Sequence, residues 1–327
     1  MSIKIYKDKI EWDDQTISVT GEGLEFDAEL LAPEFLVPPS PPMSGTVSGY
    51  TSGGNPTSNV IDKFPFASDA NATDVGDLSQ ARRQSAGQSS TDNGYTSGGD
   101  APPRVTTIDK FPFATDANAT DVGDLTQARN NLASQSSETD GYSSGGYAAP
   151  RVNTIDKFPF ASDANATDVG DLTQIRNYVV GQSSETDGYS SGGFAPTGRV
   201  NTIDKFPFAS DANATDVGNL TVARSGSAGQ SSTDNGYASG GAAPPGRVNT
   251  IDKFPFASDA NATDVGDLSQ TRDVATGQSS STDGYTSGGD APPSVNTIDK
   301  FPFATDANAT DVGDLTVARS SAAGQQD

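Results

Sequence analysis

The chain has 327 residues, a net charge of −23, neither Cys nor His, and 35 Gly and 20 Pro. These absences exclude thiol nucleophiles, disulfides and imidazole acid–base chemistry, and the acidity opposes binding to nucleic acid or anionic membranes. No apolar stretch has the length of a membrane span, and residues 1–4 lack the apolar core of a signal peptide, so we expect a soluble chain without membrane insertion.

Residues 1–32 differ from the rest of the chain and are predicted to form short strands, because apolar and polar residues alternate. For residues 24–31 a strand and a single helical turn are both compatible with the pattern. The segment is too short to bury its own core, so we expect an anchor that docks on, or trimerises within, a larger assembly. The alternative is a strap packed along the following domain. The apolar positions of the predicted anchor are Ile3, Ile5, Ile10, Trp12 and Phe26.

Residues 33–44 are rich in proline and are predicted to form a stiff, extended linker. Six copies of one unit then fill residues 45–327. Their fixed spacing, with 20 positions from a recurring Asp to a recurring Arg in every copy, argues against the disorder that the low apolar content would otherwise indicate. The recurring residues are Tyr50, Tyr95, Tyr142, Tyr189, Tyr237 and Tyr285; Asp62, Asp109, Asp156, Asp204, Asp252 and Asp299; and Arg82, Arg129, Arg176, Arg224, Arg272 and Arg319.

Each unit is predicted to contain four short strands. In the second copy these lie around Gln88–Ser90, around Tyr95, over Val105–Phe113 and over Asp121–Leu125, with a tight hairpin between the first two. Pro112 favours an edge or bulged position for the third strand. Four strands in about 45 residues is the size of a propeller blade, so the sequence predicts an all-β, six-bladed β-propeller.

The order of motifs resembles a kelch repeat. The aromatic before a double glycine is Tyr95, followed by Gly98-Gly99, and the later aromatic, Leu and Arg are Phe113, Leu125 and Arg129. The Trp of the kelch family's last strand is absent, and Val122 or Gly123 stands there. The resemblance implies a divergent, kelch-like propeller, a fold that mostly serves as an interaction module but does not by itself decide function.

The near-identical copies, with their Asp-Lys-Phe-Pro-Phe and Gly-Gln-Ser-Ser phrases, also resemble repeat proteins encoded by tailed bacteriophages of cyanobacteria and other marine bacteria. That resemblance implies a structural or fibre-like protein of the virion.

The turn that begins at Asp69 places oxygen-bearing side chains at positions 1, 3, 5 and 9, which are Asp69, Asn71, Thr73 and Asp77. Hard cations such as calcium prefer oxygen sets of this kind, although the same residue types are common in exposed turns. We therefore expect no metal or other cofactor, with calcium at these turns as the alternative. The recurring Asp residues are interpreted as parts of the scaffold rather than as catalytic pairs. Lys63, Arg82 and their equivalents are interpreted as members of exposed ion pairs between blades, and such pairs contribute little to stability.

The copies differ in two stretches, one after the double glycine and one after the recurring Arg. Because strands alternate in direction through a blade, both stretches are predicted to emerge on one face, with the uniform turns opposite. Loops on a rigid scaffold are the usual seat of recognition. The candidate binding residues on this face are Tyr147, Tyr178, Phe194, Arg104, Arg151, Arg199 and Arg247.

These features together predict a non-enzymatic virion protein of a tailed phage, exposed on the particle as a tail-fibre or adhesion component. We expect the anchor to bind other virion proteins, a homotrimer being one arrangement, and the propeller to bind a glycan or protein of the host surface. The alternatives are a capsid-decorating head fibre, a calcium-dependent bacterial lectin or adhesin, and a cytosolic kelch scaffold.

Overall fold

The computed structural model describes the backbone of residues 3–5, 9–12, 15–20 and 23–25 and the full structure of residues 45–327. The chain divides into two compact units, residues 1–40 and residues 41–327. Phe26, the rest of residues 26–32 and the predicted linker, residues 33–44, lie outside the described residues.

The first unit contains a four-stranded antiparallel meander, as the alternating pattern predicted. Its strands are β1 (Ile3–Ile5), β2 (Lys9–Trp12), β3 (Gln15–Thr20) and β4 (Gly23–Glu25), in that order across the sheet. In the register of β1 with β2, Ile3 is paired with Trp12 and Ile5 with Ile10. Four of the five apolar positions named for the anchor are therefore paired across adjacent strands in the backbone register.

The second unit is an all-β propeller of six four-stranded antiparallel blades. Blade 1 contains β5 (Ser48–Ser52), β6 (Ser58–Pro65) and β7 (Thr73–Arg82). Blade 2 contains β8 (Ala86–Ser89), β9 (Asn93–Ser97), β10 (Thr107–Pro112) and β11 (Thr120–Asp124). Blade 3 contains β12 (Ala133–Ser136), β13 (Asp140–Ser144), β14 (Thr154–Pro159) and β15 (Thr167–Asp171).

The remaining blades repeat this plan, with an additional short hairpin in blades 4 and 5. Blade 4 contains β16 (Val180–Ser183), β17 (Asp187–Ser191), the hairpin β18 (Phe194–Ala195) and β19 (Gly198–Arg199), β20 (Thr202–Pro207) and β21 (Thr215–Asn219). Blade 5 contains β22 (Ala228–Ser231), β23 (Asn235–Ser239), the hairpin β24 (Ala242–Ala243) and β25 (Gly246–Arg247), β26 (Thr250–Pro255) and β27 (Thr263–Asp267). Blade 6 contains β28 (Thr276–Ser279), β29 (Asp283–Ser287), β30 (Thr297–Pro302) and β31 (Thr310–Asp314).

The ring closes because the last strand of the chain completes the first blade. Strand β32 (Ala323–Gln326) pairs antiparallel with β5, so blade 1 has the order β32, β5, β6, β7. Asp327 reinforces this closure, since its side-chain Oδ1 accepts hydrogen bonds from the backbone N–H groups of Val47 and Ser48. The two ends of the repeat array are thus joined in one sheet.

The apolar core lies between neighbouring blades rather than within one blade. At each interface the recurring Tyr of one blade packs against the Phe-Pro-Phe motif of the next. Tyr95, for example, stacks on Phe160 with ring centroids 4.8 Å apart and lies 5.6 Å from Phe158. Because each Tyr finds its partners in the following repeat, a single repeat cannot bury its own apolar face.

Two local predictions need correction. Strand β10 lies inside its sheet, between β9 and β11, and not at an edge; Pro112 is tolerated as its last residue because pairing with β11 ends earlier, at Lys110 with Thr120. The bulge occurs instead between Ile108 and Asp109. The predicted hairpin is present, with Thr91 and Asp92 as its two turn residues, since the Ser90 N–H donates to the Asn93 carbonyl oxygen.

The recurring arginines are buried and join each blade to the next. Arg176 is fully buried and lies 2.8 Å from Asp204 of blade 4, and it also donates to the carbonyl oxygens of Ser190 and Thr202. Asp204 in turn accepts from the backbone N–H and hydroxyl of Thr173. The prediction that Arg82 and its equivalents form exposed pairs is therefore wrong. The six pairs are Arg82–Asp109, Arg129–Asp156, Arg176–Asp204, Arg224–Asp252, Arg272–Asp299 and Arg319–Asp62.

A second set of ion pairs is exposed, as predicted for the lysines. Lys63 lies 3.5 Å from Asp116 of the next blade, and the other five recurring lysines have an equivalent Asp partner. Both sets link consecutive blades, but only the arginine set is removed from solvent.

Buried polar side chains fill the space that large apolar groups leave empty around the axis. Gln88 donates through Nε2 to Ser97 in its own blade and to the Tyr142 carbonyl oxygen of the next blade. The hydroxyls of Ser97 and Ser143 lie 2.8 Å apart across the same interface. Equivalent hydroxyl pairs occur at every interface except the one between blades 4 and 5, where Ala238 stands at the position of Ser143.

The inner strands approach the axis so closely that their second residue is nearly always glycine. A Cβ atom on Gly181 would lie 1.8 Å from the Ser134 carbonyl oxygen, and one on Gly229 would lie 2.1 Å from that of Gly181. The equivalent residues are Gly87, Ser134, Gly181, Gly229, Gly277 and Gly324. These six residues form a constriction in a narrow channel along the propeller axis, and the channel is lined mostly by small residues.

Candidate functional site

The two stretches in which the copies differ lie on one face of the propeller, which we call the variable face. Backbone bridges join them directly: Asn130 pairs with Tyr147, Asn177 with Phe194, and Asp273 with Asp290. In each pair one residue follows the recurring Arg and the other follows the double glycine. The uniform turns connect the opposite ends of the same strands, so they lie on the other face.

Six residues with positive φ form a closed hydrogen-bonded ring around the axis on the variable face. The Asn131 N–H donates to the Gln84 carbonyl oxygen, and the Tyr178 N–H donates to that of Asn131, both at 2.8 Å. The same step continues around all six blades until the Gln84 N–H donates to Ser321. Members of this axial ring are Gln84 (φ 59°), Asn131 (54°), Tyr178 (54°), Gly226 (65°), Val274 (47°) and Ser321 (57°).

The axial ring holds backbone geometry constant while its side chains vary. Left-handed φ is unfavourable for most residues and especially for a β-branched one such as Val274. Such conformations persist where surrounding structure fixes them, and they concentrate at functional sites. Each ring member satisfies one N–H and one C=O through its neighbours, so the conformation is set by the blades on either side rather than by residue type. Six different side chains are therefore presented at one equivalent position.

A second variable position directly follows each double glycine. The glycines are required there, because Gly98 and Gly99 have φ of 60° and 109° and a Cβ on Gly98 would lie 2.8 Å from the Arg129 carbonyl oxygen. The residue that follows differs from blade to blade. Those residues are Asn55, Asp100, Tyr147, Phe194, Ala242 and Asp290.

Arginine and aromatic side chains share one sector of the variable face, and the structure brings six of the seven predicted binding residues together there. The guanidinium carbon of Arg104 lies 4.5 Å from the Tyr147 ring centroid, and that of Arg151 lies 4.8 Å from the Phe194 ring centroid. Arg199 approaches the same Phe194 ring at 5.9 Å. We call Arg104, Tyr147, Arg151, Tyr178, Phe194 and Arg199 the arginine–aromatic sector.

Tyr178 belongs both to this sector and to the axial ring. Its hydroxyl accepts a hydrogen bond from Gln84 Nε2 at 3.5 Å, so its side chain extends toward a blade two positions away. Gln84 is held in turn by Asn130, whose Nδ2 donates to Gln84 Oε1 at 2.8 Å. The aromatic ring of Tyr178 is thereby fixed at the centre of the variable face.

A cleft of about 480 Å³ opens beside the sector, above blade 5. Tyr178, Phe194, Arg151 and Arg199 line one side of it, and Asp273, Val274 and Asp290 line the other. Its cause is a local loss of side-chain volume: blade 5 has Gly226 in the axial ring and Ala242 after the double glycine. The preceding blade has Tyr178 and Phe194 at the same two positions.

Arg247, the seventh predicted binding residue, forms ion pairs with Asp273 and Asp290 on the acidic side of the cleft. Arg247 Nε lies 2.6 Å from Asp273, and its Nη2 lies 2.6 Å from Asp290. The hydrogen bond that Arg247 donates to Asp273 is the main reason why the pKa of Arg247 is raised above its usual value. Arg247 therefore offsets one of the two negative charges of this wall, and its guanidinium is engaged by the protein.

On the opposite face, two of the proposed calcium ligands have protein partners. Asp69 pairs with Lys300, and Asn71 Oδ1 accepts the backbone N–H of Asp314 at 3.1 Å. Within residues 45–327 there is no cluster of three or more acidic side chains arranged to hold a metal ion. Calcium binding at these turns stays a prediction.

Sequence reasoning missed several parts of this face. Gly226 and Ala242, which make room for the cleft, were not predicted as site residues because they lack functional side chains. Asp273 and Asp290 appear in the sequence as ordinary surface residues. The comparison of aligned copies was the available signal, since Gly226, Ala242 and Asp273 stand where every other blade has a different residue type.

Comparison with protein-family models and with curated proteins finds no match to this chain. In the part of the chain that the structure describes, no helix has the length and hydropathy of a membrane span. The six-bladed propeller is compatible with the kelch-like resemblance of the repeats.

Proposed function

We propose that this protein is a non-enzymatic recognition module that binds a surface ligand in the cleft beside Tyr178 and Phe194. One observation carries this proposal: six nearly identical blades surround the axis, yet the equivalent positions on the variable face differ so that an asymmetric cleft opens above blade 5. Gly226 and Ala242 in that blade stand where the preceding blade has Tyr178 and Phe194, and their small size makes room for the cleft.

The chemistry of the cleft favours a saccharide. Accessible aromatic rings stack on the apolar faces of sugars, and Tyr178 and Phe194 offer two partly exposed rings on one wall of the cleft. Asn55, Ser225 and Ser321 line other parts of the cleft and supply amide and hydroxyl groups that bond sugar hydroxyls. A few polar groups arranged around an apolar wall are typical of small-ligand sites.

The acidic residues support a role without catalysis. Asp204 and its five equivalents are buried and engaged by arginine and by Ser or Thr, which leaves them without contact to solvent or substrate. Asp273 and Asp290, the carboxylates of the cleft, are both bonded to Arg247. A glycosidase needs a pair of carboxyl groups free to act as acid and base or nucleophile.

The setting that we propose is the surface of a tailed phage particle, where the propeller attaches to the host. The repeated phrases support this setting through their resemblance to phage virion proteins. The separate four-stranded sheet of residues 1–40 supports an anchor that binds other virion proteins. Deletion of residues 1–42 tests the anchor: the shortened protein should be absent from purified particles, and unchanged incorporation would refute it.

Binding of the fluorescent full-length protein to bacterial cells tests the recognition proposal. We expect labelling that periodate oxidation of the cell surface removes and that protease treatment of the cells leaves intact. Phe194→Ala should reduce the labelling at least tenfold. Val317→Ala is the control, because Val317 is also apolar and is 55% exposed but does not line the cleft. Equal losses in the two variants, or labelling that only protease removes, would contradict a saccharide site at Phe194.

A further inference from the structure

Among residues 45–327, the arginines of the cleft and the neighbouring Arg104 differ from all other cations in having no carboxylate partner. Residues 45–327 contain six lysines and eleven arginines. All six lysines and eight of the arginines form ion pairs with Asp. The three unpaired cations are Arg104, Arg151 and Arg199, and all three belong to the arginine–aromatic sector.

Unpaired arginines are unexpected in a chain of net charge −23, where carboxylates outnumber cations more than twofold. Had these positions been unselected surface, neighbouring Asp residues would have been readily available, as they are for Arg83 and Arg247. The acidic residues near the sector are engaged elsewhere, since Asp100 bonds Arg83 and Asp290 bonds Arg247. Among residues 45–327 the positive charge of the sector is therefore left without a counter-charge.

The two arginines of the cleft are also oriented. Arg151 donates through Nε to Asn177 Oδ1 at 2.8 Å, and Arg199 donates through Nε to the Ser225 hydroxyl at 3.3 Å. These bonds and the contacts with Phe194 fix each guanidinium, while its terminal Nη1 and Nη2 groups have no partner among residues 45–327. A guanidinium held in this way offers its paired N–H donors to a carboxylate, sulfate or phosphate group.

We infer that the ligand of the cleft is an acidic saccharide whose anionic group is bound by Arg151 and Arg199 while a sugar ring stacks on Phe194. This inference rests on the proposed function and narrows its ligand. On the opposite wall Arg247 offsets one of the two negative charges of Asp273 and Asp290, so with Arg151 and Arg199 the three arginines exceed the two carboxylates by one positive charge. A densely charged polymer such as nucleic acid is disfavoured by the net negative charge of the whole protein.

The anionic group could be a uronic-acid carboxylate or a sulfate ester, and two pairs of probes distinguish them. Polygalacturonate is compared with its methyl ester, and a sulfated galactan with the same galactan after desulfation. Binding of the full-length protein is measured by biolayer interferometry at fixed ionic strength. We expect one acidic polymer to bind at least tenfold more tightly than its neutral counterpart, as the loss of one charged hydrogen bond would require.

Substitutions of the two arginines test whether they cause the preference for the acidic polymer. Arg151→Gln and Arg199→Gln should each lower affinity for the acidic polymer about tenfold or more and leave affinity for the neutral form unchanged. Lys205→Gln on the opposite face changes the net charge equally and should have no effect. Arg199→Lys keeps the charge but loses the planar fork, and is expected to restore only part of the affinity.

The failure of this inference can be told apart from failure of the recognition proposal. Equal affinity for acidic and neutral forms, with Phe194→Ala still abolishing binding, overturns the acidic ligand and leaves the cleft as a saccharide site. A charge preference that Lys205→Gln reduces as much as Arg199→Gln also overturns it. Absence of binding to both acidic polymers overturns the inference, and the cell-labelling experiment then decides the recognition proposal separately.

Discussion

Neutralising one buried carboxylate at a blade interface should destabilise the propeller far more than neutralising an exposed one at the same interface. Asp204→Asn leaves the Arg176 guanidinium without its counter-charge in a site where both side chains are completely buried. The Asn amide can keep the hydrogen bonds, since its Oδ1 accepts from Arg176 and its Nδ2 can donate to the Thr173 hydroxyl oxygen, so the variant removes mainly the negative charge.

The magnitude follows from the burial. Removing one partner of a fully buried ion pair costs about 3–5 kcal/mol, because the remaining charge is desolvated without compensation. Burial already lowers the pKa of Arg176, and Asp204 is the main group that opposes this effect. We expect Asp204→Asn to lower the free energy of unfolding by that amount in urea denaturation followed by tyrosine fluorescence.

Asp211→Asn is the matched control. Asp211 pairs with Lys157 at 2.5 Å, links the same two blades and has the same charge, but its side chain is 60% exposed. An exposed pair of this kind contributes about 0–1 kcal/mol. Arg176→Met should cost less in the Asp204→Asn background than in the wild type. Similar destabilisation by Asp204→Asn and Asp211→Asn, or additive effects of Asp204→Asn and Arg176→Met, would refute the reasoning.

Three further predictions concern the scaffold. Ala238→Ser restores the missing hydroxyl opposite Ser191 and should raise the unfolding free energy by about 1 kcal/mol in urea denaturation, whereas a loss of stability would show that the site cannot accept the group. Deletion of residues 320–327 removes β32 and with it the closure of blade 1, so the cooperative thermal transition should be lost or fall sharply; an unchanged transition would contradict closure by this strand. Burial raises the pKa of the six recurring tyrosines, so their contribution to stability is complete below the unfolded value of about 10 and is lost as pH rises above it. Tyrosinate absorbance should therefore appear together with unfolding in an alkaline titration, and titration of all tyrosines near pH 10 in a folded protein would refute their burial.

The strands of the propeller could be predicted from the sequence because the same pattern of aromatic residues and glycines occurs in all six copies. Six copies of Tyr before a double glycine and of Phe-Pro-Phe define the strands, and the predicted last strand, Asp121–Leu125, differs from β11 by one residue at each end. The Tyr–Phe stacking between blades follows from the same residues once neighbouring repeats are placed side by side.

Other features could not be predicted because they depend on contacts between repeats. Arg82 has its Asp109 partner in the next blade, and nothing local to Arg82 indicates that both become buried. The axial ring could not be predicted because Gln84, Tyr178 and Val274 share no conformational preference. Their left-handed φ is imposed by hydrogen bonds from neighbouring blades. Comparison of aligned copies nevertheless located the face on which this ring lies.

The small residues of blade 5 create the cleft in which we propose that the ligand binds. Gly226→Tyr tests this proposal most directly, because it gives blade 5 the residue that blade 4 carries at the equivalent position, where Tyr178 has φ 54°. The new Cβ would lie 3.0 Å from a methyl group of Val274, a contact that a small movement of that side chain relieves. Asn131→Tyr is the control, since Asn131 has the same φ of 54° in the axial ring and does not line the cleft.

The measurement is the affinity of both full-length variants for the surface polysaccharide that the wild type retains, with thermal unfolding recorded beside it. We expect Gly226→Tyr to remain folded and to lose binding, whereas Asn131→Tyr should bind like the wild type. Undiminished binding by folded Gly226→Tyr, or equal losses in the two variants, would contradict recognition in the cleft.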